Sequence, residues 1–301
     1  MEYILQTDNL KKTYRNFSAL DGLTMNVPKG AIYGLVGKNG AGKTTLIRVI
    51  CGLQAPTDGS FRLFGKNGGS DTHRRIGAVV ETPSLYLDMT ARDNMRQQYM
   101  TLGIPSYDGI DELLEMVGLC DTGNKKVRNF SLGMRQRLGI AIALCGSPDF
   151  LVLDEPINGL DPEGIVEMRE LILKLNRENQ ITILISSHIL DELSRLATHY
   201  GFIDRGRTVK ELSSEELETM LRKCTKVEVT NTAVLPRVLD KMGVEYKILS
   251  AAEADIYGEV NITDLALALN GEGCTVQSVK SHDESLENFY INLVGGGEHH
   301  D

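Results

Sequence analysis

No apolar run in this 301-residue chain approaches the roughly 20 residues that a membrane-crossing helix needs, so any membrane role has to come through a partner. The opening stretch, MEYILQTDNLKK, lacks a basic segment followed by an apolar core, and no signal peptide is expected. Long basic runs are absent and the formal net charge is -9, which argues against nucleic acid as the ligand. Cysteine is sparse: Cys51, Cys120, Cys145, Cys224 and Cys274 are odd in number, widely spread and form no CxxC pair. That usage fits reduced thiols in a cytoplasmic protein and speaks against a zinc site. There is no obvious internal repeat and no long heptad run. What remains is the balance of a globular protein, 42% hydrophobic and 24% charged, long enough for one large or two modest domains.

The first stretch alternates short apolar runs with turn signals. Residues 2–5 and 23–27, the latter ahead of Pro28-Lys29-Gly30, predict strands. Residues 44–50 predict a helix that stops near Gly52, and from about 89 to 146 the pattern is mostly helical, including 133–144. Phe150-Leu151-Val152-Leu153 runs into Asp154-Glu155, and the apolar run 181–185 runs into Ser186-Ser187-His188. Continuous apolar runs this short predict strands buried on both faces of a parallel sheet. Such sheets carry their sites at the carboxyl ends of the strands. Residues 163–176 between them are helical by spacing. Past about residue 214 short alternating pieces (226–229, 246–249, 254–257) mix with helix-like ones (235–242, 262–269, 284–293), which predicts a small α/β appendage. The tail, 295–301, is expected to be disordered, with His299 and His300 at a solvated end.

The densest signal is Gly37-Lys38-Asn39-Gly40-Ala41-Gly42-Lys43-Thr44, a full match to G-x-x-x-x-G-K-[ST] between a strand and a helix. Its glycines allow positive φ and close backbone approach, so successive N–H groups can face phosphate oxygens. Lys43 can reach the β- and γ-phosphates, the Thr44 hydroxyl can hold Mg²⁺, and the helix through Thr45 adds its positive end. The bland reading is a glycine-rich turn, which needs neither the lysine nor the hydroxyl. Asp154 and Glu155 are the second signal: one carboxylate to contact the metal through water, the next to take a proton from the attacking water. Alone they read as a solvated pair at a strand end; beside the cradle they read as catalytic.

With these residues the chain resembles the nucleotide-binding subunit of an ABC transporter over residues 2–214. Tyr14 stands where that family stacks an aromatic on adenine. Phe130-Ser131-Leu132-Gly133-Met134 stands at the signature position, Gly159-Leu160-Asp161-Pro162 after the catalytic glutamate, and His188 where a histidine senses the γ-phosphate. The resemblance implies an α/β P-loop NTPase of the ABC ATPase type. Its nucleotide-binding domain, 1–214, has a mixed-sheet core and a helical subdomain at about 84–148; a C-terminal accessory domain, 215–301, follows. It implies ATP and Mg²⁺ as cofactors, Thr44, Glu81 and Asp154 toward the metal, and Glu155, His188, Glu81 and Asp161 in hydrolysis. Two copies would pair head to tail, with Ser131 and Gly133 of one facing the γ-phosphate held by the other. A separate integral membrane permease would hold the protein at the cytoplasmic face of the membrane.

Two departures narrow the resemblance. The usual LSGGQ is here Phe-Ser-Leu-Gly-Met, and the usual glutamine after the third strand is Glu81, followed by Thr82-Pro83. Together with the ending Ser285-Leu286-Glu287-Asn288-Phe289-Tyr290 they resemble the exporters of bacitracin-like and lantibiotic peptides. Several residues keep two readings. Tyr14 is a base platform or a packed strand aromatic; His188 is catalytic or a structural histidine. Asp161 is a functional carboxylate, a helix cap, or both. Leu85, Tyr86, Leu87 and Met89 form a groove for the permease or ordinary core. The competing function is a soluble ABC-type mechanoenzyme or regulatory ATPase.

Overall fold

The parallel strands that carry the site are buried from end to end, and their composition is the reason. The computed structural model describes residues 2–221, 224–258, 260–282 and 286–295; Ser285 and the expected disordered tail beyond Gly295 lie outside them. The chain divides into two compact units, Met1–Ser214 and Glu215–Asp301.

The first unit begins with two long strands, β1 (Tyr3–Tyr14) and β2 (Phe17–Pro28), then β3 (Ile32–Val36) and α1 (Lys43–Ile50). Next come β4 (Asp58–Leu63), β5 (Lys66–Asn67), α2 (Ser70–His73) and β6 (Ile76–Val79). The helical region predicted from sequence holds α3 (Ala91–Leu102), α4 (Gly109–Met116) and α5 (Leu132–Leu144). Then follow β7 (Phe150–Asp154), α6 (Pro162–Arg177), β8 (Thr182–Ser187), α7 (Leu190–Ser194), β9 (His199–Asp204) and β10 (Arg207–Ser213).

One sheet runs β10-β9-β3-β8-β7-β6. Its strands are parallel except β10, which returns antiparallel on β9, so the sheet is mixed. β3, β7 and β8 are buried at every position, as both-face coverage demands of unbroken Ile, Leu and Val runs. An antiparallel sheet, β2-β1-β4-β5, forms a second layer. Between the layers α1 packs Leu46, Ile47 and Ile50 against Leu23 and Met25 of β2 and Phe150 and Val152 of β7. The glycine-rich loop and the end of β7 thus rest on one core. Tyr33 ties the layers: its buried hydroxyl donates to Glu211 Oε1 at 2.6 Å, and that oxygen also accepts from Asn26 N at 2.8 Å. Burial and the Glu211 charge push the Tyr33 phenol well above its ordinary value.

After α8 (Ser214–Leu221), the second unit runs β11 (Cys224–Val229), α9 (Leu235–Met242), β12 (Glu245–Ile248), β13 (Glu253–Tyr257), α10 (Ile262–Gly271), β14 (Val276–His282) and α11 (Leu286–Gly295). Its sheet order is β12-β13-β11-β14, antiparallel at every pairing. A β-α-β-β-α-β chain in that order is the ferredoxin-like split βαβ arrangement. Val227, Val229, Leu235, Leu239, Ile256, Leu265 and Leu269 give it a core of its own. The expected appendage is therefore an antiparallel α+β unit, in keeping with the alternating burial of β11 and β13. Among the described residues no helix is long and apolar enough to cross a membrane.

Candidate functional site

β3 ends at Val36 and α1 starts at Lys43, so residues 37–42 turn the chain at the carboxyl edge of the parallel sheet. Gly40 and Gly42 take φ of 85° and 111°. Space is as strict as conformation: a Cβ on Gly42 would lie 2.6 Å from the Ala19 carbonyl, and one on Gly37 would lie 2.8 Å from that of Ile203. Gly42 caps α1 without a side chain, and no acidic residue occupies the first turn. The positive end of α1 is therefore left for an anion. Lys43 is buried and folds back over the loop, donating from Nζ to Gly37 O at 2.6 Å.

The end of β7 faces this loop. Asp154 is 2% exposed; its Oδ1 accepts from Ser186 Oγ at 2.6 Å, while its buried Oδ2 has no hydrogen-bond partner among the described residues. Burial and then the Asp154 charge push the nearby Cys51 thiol up to about 12. Glu155 leaves the strand at φ 52°, in the left-handed region, with its N–H on Ser186 Oγ at 3.0 Å. That turn aims the carboxylate at the cradle. Oε1 lies 3.4 Å from Lys43 Nζ and Oε2 lies 2.7 Å from His188 Nδ1. One carboxylate thus bridges the lysine of the loop and the histidine after β8. All three line a cavity of about 350 Å³ together with Thr44, Thr45, Asn158 and Phe17. Ala19, Lys38, Asn39, Gly40 and Gly42 complete its wall.

Other expected site residues lie elsewhere. Tyr14 does not line the cavity; its hydroxyl bonds Gln54 Oε1 and Lys12 Nζ sits 5.3 Å from its ring centroid. Its cross-strand neighbour Phe17, 62% exposed, lines the cavity instead. Glu81, at φ 58°, forms an ion pair with Arg48 Nη2 of α1 at 2.6 Å and is absent from the lining. Asp161 caps α6, accepting from Gly164 N at 3.2 Å ahead of Pro162 at the first turn. Ser131 caps α5, accepting from Met134 N at 3.2 Å, and Gly133 sits in the turn it starts. Neither lines the cavity of its own chain. Sequence reasoning missed Phe17 and Ser186. The strand run into Ser186 was a signal for the second; nothing in the one-dimensional pattern separates Phe17 from Tyr14.

Residues 20–158 match the family described as ABC transporter, a span that holds the cradle, Ser131 and Glu155. The bacitracin transport ATP-binding protein BcrA of Bacillus licheniformis is 41% identical over 303 residues, covering 99% of this chain and 99% of its own. This chain belongs to the ABC transporter ATP-binding proteins. The cassette is accordingly an ATPase, and ATP is its nucleotide. The lantibiotic transport ATP-binding protein SrtF of Streptococcus pyogenes is 46% identical over 220 residues, 72% of this chain and 95% of its own. Among solved structures, the ATP-binding cassette MJ1267 in its ADP conformation is similar at 28% identity and a TM-score of 0.66. That match takes in 73% of this chain and 94% of the other.

Proposed function

We propose that the cassette works as a pair of copies bound to a separate integral membrane permease, and that its ATP hydrolysis drives export of a bacitracin-like or lantibiotic-like antimicrobial peptide. The bacitracin and lantibiotic transport roles of the relatives BcrA and SrtF support the substrate class. The observation that carries the catalytic reading is the Glu155 carboxylate held between Lys43 and His188 at the mouth of the cradle.

The chemistry follows from those contacts. The N–H groups of residues 38–44 and the end of α1 receive the phosphates. Lys43 exchanges Gly37 O and Glu155 for phosphate oxygens, which frees Oε1 of Glu155. Glu155 then takes the proton of a water as that water's oxygen attacks the γ-phosphorus, and ADP leaves with the bridging oxygen. His188 holds Oε2 and so fixes the direction of Oε1. The buried, unpartnered Oδ2 of Asp154 fits a bound water of Mg²⁺, and the Thr44 hydroxyl in the cavity fits the ion itself. Glu81 is a third candidate that has to leave Arg48 first. Mg²⁺ when bound neutralises charge on the β- and γ-oxygens.

Phe17 is our choice for the base platform, with Tyr14 behind it. Ser131 and Gly133 act on the nucleotide of the second copy, which accounts for their absence from their own chain's cavity. Asp161 serves first as a cap. Leu85, with Tyr86, lines a groove of about 440 Å³ against α3, and Tyr86 and Leu87 stay 57% and 48% exposed, so this groove is where the permease docks. Docking would hold the protein at the cytoplasmic face. The second unit is an accessory domain.

Gentle solubilisation of host membranes and capture on the tagged chain should recover a polytopic membrane protein. Co-expression of the two in a sensitive strain should raise resistance to a bacitracin- or lantibiotic-type peptide, and Glu155→Gln should cancel it. Capture of ribosomes, or of nothing, from a chain with measurable ATPase activity would sink the exporter reading.

A further inference from the structure

The turn between β9 and β10 meets the cradle and β2 at a single glycine. Gly206, at φ 75°, donates its N–H to Ala41 O of the cradle at 2.9 Å, and its carbonyl accepts from Asp21 N of β2 at 2.9 Å. A Cβ built on it would come 2.7 Å from Ala19 O and 2.9 Å from Leu20 Cα. Both are backbone atoms, which give way only if the strand moves. The cradle closes the triangle: a Cβ on Gly42 would lie 2.6 Å from the same Ala19 carbonyl and 3.5 Å from Gly206 Cα. Three segments far apart in sequence thus meet backbone to backbone, an approach that glycine alone permits. Arg207, next along β10, adds a side-chain tie, with Nε and Nη2 donating to Asp21 Oδ2 at 3.0 and 2.6 Å. β2 begins at Phe17, which lines the cavity with Ala19. Phe17 is 62% exposed, so core packing does not hold its ring. The height of that ring over the cradle is set by the backbone of β2, which is fixed to the cradle at residues 19–21.

We propose that the β9–β10 turn is the spacer that sets the base platform over the phosphate cradle, with Gly206 and Arg207 as positioning residues for ATP. The proposal rests on the reading of Phe17 as that platform. A nucleotide is held at two places, and its sugar limits the distance between base and phosphates. A site already built to that distance binds without a cost of rearrangement. Gly206 builds it in: the Ala41 bond holds the turn to the cradle, and the Ala19–Asp21 contacts hold β2 to the turn. A side chain at 206 would displace β2 before the cradle, because the nearest atoms belong to Ala19 and Leu20. Arg207 and Asp21 resist sliding of the two strands. Both are partly exposed, and such a pair is weak by itself, so its share is the smaller one.

The test is equilibrium titration of the full chain with ATP and, separately, with inorganic tripolyphosphate, which has the phosphates and no base. Gly206→Ala should weaken ATP about five- to tenfold, as loss of the platform does, and leave tripolyphosphate within about twofold. Arg207→Ala should weaken ATP about threefold, and the exchange of Asp21→Arg with Arg207→Asp should recover most of that. In a Phe17→Ala background neither Gly206→Ala nor Arg207→Ala should lower ATP affinity further, since groups that act as a unit do not add. An equal loss of both ligands would mean that the turn only supports the cradle, and the proposal falls. It falls too if both variants bind ATP like the parent while Phe17→Ala binds it more weakly. If Gly206→Ala does not fold, Arg207→Ala and the charge exchange decide the matter on the same two ligands. Unchanged ATP affinity in Phe17→Ala itself would remove the platform reading and the spacer with it, a result distinct from a silent Gly206→Ala beside a weakened Phe17→Ala.

Discussion

Glu155 is a non-glycine residue in the left-handed region, a conformation that costs on the order of 1–3 kcal/mol and persists only where the surroundings impose it. Ser186 imposes it here, by accepting the Glu155 N–H on both its hydroxyl and its carbonyl while donating to Asp154. The turn is what aims the carboxylate at Lys43 and His188. Phe17 and Tyr14 present the second question about single side chains. Tyr14 is engaged by Gln54 and Lys12, whereas the ring of Phe17 lines the cavity. Aromatic stacking contributes about 1 kcal/mol beyond area burial. Phe17→Ala should therefore weaken ATP binding about five- to tenfold, and Tyr14→Ala by less than about twofold. Titration with a fluorescent ATP analogue would read both; a larger loss at Tyr14 would return the platform to it.

Ser131 and Asp161 each start a helix. Each caps its helix through the N3 N–H. Asp161→Ala should cost about 1 kcal/mol in urea unfolding, and Asp161→Asn should keep the cap. If Asp161→Asn keeps stability but loses turnover, the carboxylate has a role beyond capping. The thiols report on the packing of α1 and α5. Burial raises Cys51 and Cys145 to about 12, so both stay almost wholly protonated near pH 8, and the thiolate is the reactive form. Cys120 is exposed. A maleimide at pH 8 should modify Cys120 first and reach Cys51 and Cys145 only on unfolding, as mass spectrometry of timed samples would show.

The two compact units have separate cores, one between the sheets and α1, the other between the antiparallel sheet and α9 and α10. The SrtF match spans 220 residues, close to the length of the first unit, whereas BcrA matches nearly the whole chain. The proposed ATP site lies in the first unit. A ligand at about 100 times its Kd adds about 2.7 kcal/mol to the state that binds it. Calorimetry should therefore show one transition that rises with ATP and a second that stays in place. A single transition moving as a whole would mean that the units unfold together.

Most of the fold was legible before the structure because its signals are local. Unbroken apolar runs at 150–153 and 181–185 called for strands covered on both faces, and β7 and β8 are buried throughout. The cradle was legible because its glycines, lysine and threonine are contiguous. Tertiary structure alone decided what depends on approach between distant segments. Gly42 is required by the Ala19 carbonyl, 23 positions upstream by sequence number. Glu81 pairs with Arg48 because α1 and the loop after β6 lie side by side, which no spacing rule predicts. Phe17 and Tyr14 are equal as residue types near a hairpin tip; the contacts of Gln54 and Lys12 separate them. Periodicity and contiguity are properties of the chain, whereas which side chain reaches which partner depends on packing between segments far apart in sequence.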